Sequence, residues 1–482
     1  MKPVWCRVSG GFRFAARVVA WAGLVVCLSS GVVSASSVWE LTPYRVRLIV
    51  GMARIAGLTP QLQAELESEL AGRVDAVIGA AWDLAIVPTP PALRYAITSD
   101  IETVTIEMLP KESLESDKVI LLGVSRRPAG YQVSARELDV RTQTFGAAVS
   151  LPVWQSAKLR DVAFRAMREA FAPLGRIDRI EKEKKLVVLR LRASGLPSRD
   201  ETLDWIGPGD VFQPIVRYND REGNARRISP VPWTFLAVKE AKSRDVECVL
   251  CSGLRSPLSG RRRGRVERLA LAVVPSARPT RLVLQSRTAP KEPLAGYEVF
   301  AHPPASKSTE RIGRTDRQGA VLVPPAGDPL RILVVRSGGR SLARLPLVPG
   351  LMPRLTAEIP NDDQRLEAEG FITGLQENLV DLVTRREVLI ARARARLEAG
   401  KFGEADTLID ELRALGARQQ FARKLDAQQK RIFSEEPAVQ RKIDALFGDT
   451  RKLVAKYLDP EPVDRLSREL TKARSGKSDS GP

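Results

Sequence analysis

What most restricts the folding of this chain is that its hydrophobic pattern changes character along its length. Strand-like and helix-like spacings alternate to about residue 175. Short β-type runs cut by Gly and Pro continue to about 360, and helical spacing takes over after Pro360-Asn361-Asp362-Asp363. No single core serves all three regimes, and 482 residues exceed what one domain usually holds. The chain reads as multidomain: an α/β (or α+β) domain over 36–175, a small β-barrel-like domain over 176–290, a β-sandwich over 291–360, an all-α domain over 361–472 and a disordered tail over 473–482.

The first 35 residues have the pattern of a secretory signal. Lys2, Arg7, Arg13 and Arg17 form a basic start without an acidic residue, an apolar stretch runs from Val18 to Val33, and Val33-Ser34-Ala35 offers a small-residue cleavage site near Ala35. Ser29, Ser30 and Gly31 dilute the apolar stretch, which falls short of the ~20 residues a spanning helix needs. Cleavage is therefore expected ahead of a retained anchor, and membrane contact only if the leader is retained. Cys27 follows a bulky Val26, a poor lipobox. The expected location is periplasmic or extracellular.

Reaction chemistry has little equipment here. His302 is the only histidine, which excludes HExxH and multi-histidine metal sites. It sits in Ala301-His302-Pro303-Pro304, read as an exposed loop without a partner to orient a base. Neither G-x-S-x-G nor S-x-x-K occurs, and Gly476-Lys477-Ser478 lacks the glycine and the preceding strand of a phosphate loop. Cys248 and Cys251 form a lone Cys-x-x-Cys within a strand-like run, which suits two small semi-buried residues or a disulfide better than zinc or redox chemistry. The expectation is no catalytic residue, no cofactor and no metal. A hydrolase or transferase built on paired carboxylates in 36–175 is the alternative.

The formal net charge is +19, or +15 without the leader's four cations. After export, nucleic acid is an unsuitable partner, and the charges are dispersed. The densest patch is Arg255, Arg261, Arg262, Arg263, Arg265 and Arg268, a candidate site for an anionic envelope polymer because guanidinium forks chelate phosphate and carboxylate oxygens. A solvated hairpin tip explains it equally well.

In the first region Tyr44–Met52 reads as a strand. Thr59-Pro60 opens a helix whose stripe is Leu62, Leu66, Leu70, Val74, Ile78 and Trp82. Strands are expected at 102–109, 118–125 and 131–138, then a helix through Leu159, Ala163, Met167 and Phe171 that Gly175 ends. With Asp139-Val140-Arg141-Thr142 as a D-x-x-T turn, 117–172 resembles the α/β domain of curli-secretion lipoproteins and penicillin-binding-protein activators. That likeness implies a periplasmic binding or assembly module. In the second region, strands are expected at 186–191, 233–238, 269–274 and 281–285, with a hairpin tip at 220–224.

Gly313-Arg314-Thr315-Asp316-Arg317-Gln318-Gly319 carries a G-x-T-D-x-x-G turn, in which Asp316 can bond the backbone and Gly319 supply positive φ. With its flanking strands, 291–360 resembles the carboxypeptidase-regulatory-like domain, an Ig-like β-sandwich. This implies a structural spacer. Ala393 to Ala405, turning at Gly400, resembles the junction of a tetratricopeptide repeat, and the helical hairpin of 393–415 is expected to present a groove to another envelope protein. The combined expectation is an exported, non-catalytic scaffold or partner-binding protein.

Overall fold

Val46, Leu48, Ile49 and Val50 are all fully buried in β1 (Tyr44–Met52), which fixes that strand as interior to its sheet. The computed structural model describes residues 38–478, except 182, 201–203, 243–244, 259–264, 275, 289, 307 and 416–417. The leader and its expected cleavage site at Ala35 lie outside the described residues. β1 is flanked in parallel by β2 (Trp82–Ile86) and β3 (Lys118–Arg127), and β3 pairs antiparallel with β4 (Gly130–Asp139). β5 (Thr144–Phe145) and β6 (Val149–Val153) both pair with β4.

Helices cover both faces of this sheet, which explains its unbroken apolar strands. Helix α1 (Pro60–Arg73) and α3 (Leu159–Ala170) pack on the face of Val46, Leu48 and Val50. Helix α2 (Pro91–Ser99) places Leu93 and Ile97 over Ile49, Val119 and Leu121. Its close approach needs Gly123, where a Cβ would sit 2.7 Å from the Ile97 carbonyl oxygen. Thr59 caps α1, its hydroxyl accepting from the Leu62 amide at 3.2 Å.

Three local expectations are corrected. The helical stripe does not reach Trp82, which begins β2, because Gly79 at φ +67° reverses the chain. Residues 102–109 are short helical turns rather than a strand. Arg136 donates to the carbonyls of Ile101, Glu102 and Val104 at 3.2, 2.9 and 3.4 Å, satisfying the backbone that a sheet would otherwise pair. Gly175 does not end α3; it is the second residue of β7 (Leu174–Glu181).

From β7 the chain builds a barrel with β8 (Leu186–Leu191), β9 (Val211–Asn219), β10 (Ala225–Pro230), β11 (Thr234–Lys242), β12 (Asp245–Ser252) and β13 (Val266–Ala272). The order β9-β11-β12-β8-β7-β13 closes through β9–β13 pairing into a six-stranded ring, with β10 outside it on β9. At the β9–β10 tip the Asp220 carboxylate accepts from Glu222 and Asn224 amides at 3.1 and 2.7 Å, and Gly223 takes φ +89°. The α/β sheet and the barrel fall in one compact unit, apart from the ends of β11 and β12, where four separate domains had been expected for the whole chain.

The second unit holds a two-sheet β-structure and the C-terminal helices. One sheet orders as β17-β14-β20, from β14 (Thr280–Ser286), β17 (Ala320–Val323) and β20 (Arg354–Ile359). The other orders as β16-β15-β18-β19, from β15 (Glu298–His302), β16 (Glu310–Arg314), β18 (Arg331–Ser337) and β19 (Arg340–Leu347). Leu282, Leu284 and Ala357 of the first pack on Val299, Leu333 and Val335 of the second. The expected boundary at 290 therefore moves back, since β14 belongs to this core and not to the barrel. The G-x-T-D-x-x-G turn forms as read: Asp316 accepts from the Gln318 and Ala320 amides, both at 2.8 Å, and Gly319 has φ +71°.

Five helices follow: α4 (Asp363–Glu398), α5 (Phe402–Ala414), α6 (Arg418–Arg431), α7 (Pro437–Tyr457) and α8 (Glu461–Ser478). Gly400 at φ +71° turns α4 into α5. The first half of α4 packs through Ile372, Leu375 and Leu379 on α7, with α6 joining the same core from the α7 side; the second half packs through Leu389, Ile390 and Ala393 on α5 and α8. The expected tail is corrected in part, because α8 continues to Ser478; residues 479–482 lie outside the described ones.

Candidate functional site

Two places concentrate chemistry: a sealed charge cluster in the first unit and an open cleft among the helices of the second. The cluster starts from strand register. The β3–β4 hairpin sets Lys118 opposite Asp139, with Glu137 two residues along the same strand. The Lys118 ammonium is wholly buried and lies 2.6 Å from Glu137 Oε1 and 2.9 Å from Asp139 Oδ2. It also donates to the Ala172 carbonyl and sits 5.2 Å from the Phe171 ring centroid. Glu137 accepts from the Ala172 amide at 2.9 Å, and Asp139 Oδ1 from the Thr142 amide and hydroxyl, both at 2.7 Å. The D-x-x-T turn is thus an Asx-type lock.

One ammonium faces two carboxylates, so the cluster cannot be neutral with both ionised. Burial pushes Glu137 up to about 7, against the opposing pull of Lys118, and Lys118 is held above its ordinary range by Asp139 and Glu137 despite desolvation. Around it, Tyr44 Oη accepts from the Leu174 amide at 2.9 Å, and burial pushes that phenol up to about 12. Arg192 forks onto Asp117 at 2.9 and 2.7 Å and lies 5.4 Å from the Trp39 ring centroid. These residues pin the start of β7 to the α/β sheet. Glu137 and Asp139 are the closest pair of buried carboxylates that a reaction centre in 36–175 could draw on, and both are sealed from solvent at 1% exposure; Glu40 and Asp117 are buried too and are engaged by Arg190 and Arg192.

The residues singled out from sequence are scattered. Arg261, Arg262 and Arg263 lie outside the described residues. Arg255 and Arg265 are exposed and Arg268 half-buried; Arg255 belongs to the second unit and the other two to the first. Cys248 and Cys251 are not joined by a disulfide. Three residues apart on the continuous β12, they point to opposite faces and stand roughly 10 Å apart, beyond disulfide reach. Burial pushes the Cys248 thiol up to about 12. His302 is not in an exposed loop. It ends β15 at 7% exposure, with Nδ1 2.8 Å from the Pro303 carbonyl oxygen and Nε2 3.4 Å from Arg344 Nη2. Among the described residues no group of three or more His, Cys, Asp or Glu is placed to hold a metal, and no helix is long and apolar enough to cross a membrane.

The cleft lies midway along α4, where its two packing partnerships meet. Its volume is about 440 Å³. Leu412, Leu458 and Val463 are its buried floor, with Leu382 and Leu415 half-buried beside them. Arg386, Arg413, Arg418 and Asp464 supply its charge. Arg386 donates to the Tyr457 carbonyl at 3.3 Å and to the Asp459 carbonyl, closing the C-terminal end of α7. Arg413 reaches Asp410 at 3.2 Å and Ser467 at 3.0 Å. Sequence reasoning located the helical hairpin but not this cleft, which four helices and two turns assemble.

No family model matches the chain, and no curated protein does. Among solved structures, TolB from Acinetobacter baumannii is 10% identical, with 67% of this chain and 96% of that chain covered, at a TM-score of 0.17. The major pilin subunit BcpA of Bacillus cereus is also 10% identical, with 51% and 71% covered, at a TM-score of 0.13.

Proposed function

We propose that this is an exported, non-catalytic envelope protein that binds another envelope protein through the cleft of its C-terminal helices. The cleft carries the reading: a buried apolar floor under an exposed polar rim is the anatomy of a recognition groove. Export rests on the leader pattern of residues 1–35. A non-catalytic role is supported by the sealing of Glu137 and Asp139 around Lys118, which leaves those carboxylates no access to a substrate. On this reading the β-sandwich is an Ig-like spacer of the carboxypeptidase-regulatory-like kind, and the α/β sheet an assembly module.

The spacer role draws on the joint between sandwich and helices. Wholly buried Arg365 forks onto Asp362, with Nε at 2.8 Å from both carboxylate oxygens, and also meets Glu369. Tyr297 Oη accepts from the Asp362 amide at 2.9 Å and contacts Asp363 at 3.0 Å. A stiff joint would hold the cleft at a fixed distance from the β-structure. The test is site-specific photo-crosslinking with Gln419→p-benzoylphenylalanine at the rim and Glu112→p-benzoylphenylalanine as an exposed control in the first unit. A discrete adduct from position 419 alone is expected; no adduct there, or the same adduct from both positions, refutes the reading.

A further inference from the structure

We infer that the helical cleft takes an acidic peptide segment bearing a bulky apolar side chain, an inference that rests on the partner-binding reading above and names the chemistry of the partner. Charge points to the acid. The lining holds three guanidiniums and one carboxylate, Asp464. Arg386 is engaged by backbone carbonyls, which leave its positive charge unneutralised. No described residue pairs with the Arg418 side chain, and Arg413 shares an exposed bridge with Asp410 that a ligand carboxylate can replace at small cost. Guanidinium forks match carboxylates in geometry as well as charge.

Shape points to the apolar side chain and to a peptide. Leu382, Leu412, Leu415, Leu458 and Val463 offer aliphatic contact in about 440 Å³, room for a few side chains and not for a folded domain. None of the lining residues is aromatic, which argues against nucleobases or sugar rings that would stack. Small-molecule sites enclose most of their ligand, whereas Arg413, Arg418, Gln419, Pro460 and Asp464 are exposed around this mouth. A segment that lowers one or two apolar side chains into the floor and keeps its carboxylates at the rim meets both the aliphatic floor and the three guanidiniums, which outnumber the one lining carboxylate, Asp464.

The test selects a displayed library of random linear peptides on the full chain and measures fluorescein-labelled winners by anisotropy. Expected winners combine Asp or Glu with Leu, Ile or Phe. They should weaken about tenfold or more on R413E/R418E, weaken with added salt, and be lost on L415E. Winners that disappear with L415E but bind R413E/R418E unchanged, or that lack acidic residues, overturn this inference and leave the partner-binding reading standing. Absence of any winner, or winners indifferent to L415E, overturns both. R413E/R418E alters only exposed side chains and so decides the question of charge even where L415E fails to fold.

Discussion

Glu137→Gln isolates the titration of the buried cluster. Glu137 holds its proton up to about pH 7 in the folded chain because burial penalises the anion, whereas an unfolded glutamate releases it near 4.3. Folding therefore takes up a proton between those values, and stability falls as pH rises from about 5 to 8. At 1.36 kcal/mol per pKa unit, the group's contribution changes by roughly 3 kcal/mol across that window. The glutamine variant loses this slope. It also incurs a fixed cost, on the order of 1–3 kcal/mol, because its amide must face either the Lys118 ammonium or the Ala172 N–H as a second donor. The level and the slope thus separate. Urea unfolding of the full chain, followed by tryptophan fluorescence at several pH values, reads both, since Trp39 and Trp82 line the core beside the cluster. The variant should gain roughly 3 kcal/mol on wild type as pH rises from about 5 to 8, closing its low-pH deficit and matching or overtaking wild type at the upper end. A constant offset between them from pH 5 to 8 would show that Glu137 is ionised throughout and would refute the reasoning.

Three further outcomes follow from the same structure. Arg365→Met leaves Asp362 buried without its fork and should cost about 3–5 kcal/mol, read by calorimetry as a lowered transition of the second unit; an unchanged transition contradicts the joint. Gly319→Ala places a Cβ 2.3 Å from the Leu284 carbonyl at φ +71° and should destabilise the sandwich by about 1–3 kcal/mol or more, against a near-neutral Gly327→Ala, which meets open space. Alkylation of the native chain at pH 8 should modify Cys251 well before Cys248, whose thiol is buried and held protonated; equal rates would contradict that placement.

Sequence reached those elements whose chemistry is local. β1, β3, β4 and α3 announce themselves by period, and the turn at Asp316 and the reversal at Gly400 by residues that only such backbones favour. It stopped where distant residues decide. Val104 and Ile106 read as strand, yet Arg136, some thirty positions on, takes the nearby carbonyls. Ile78 to Trp82 continues a helical spacing, and only Gly79 hints that the chain turns to make β2. The cluster lay within reach: the Pro128-Ala129 turn fixes the hairpin register, and that register sets Lys118 opposite Asp139. Charges near strand ends look solvated in sequence, and their burial depends on Ala172 and Phe171 arriving from α3.

That dependence changes how the cationic composition should be read. Lys and Arg total 76 against 57 acidic residues, and the excess first suggests a polyanion partner. Several guanidiniums are instead committed inside the fold. Arg192 holds Asp117, Arg365 holds Asp362, Arg331 reaches Glu310 and the Pro324 carbonyl, and Arg136 collects backbone oxygens. Arginine suits this work because its planar fork satisfies two acceptors at once and is less strongly hydrated than an ammonium. Polymer binding through diffuse charge would need many exposed arginines on one surface. The cleft needs only a few beside a greasy floor, and Arg386, Arg413 and Arg418 are placed there. Local arrangement, more than net charge, is therefore what points to an acidic partner.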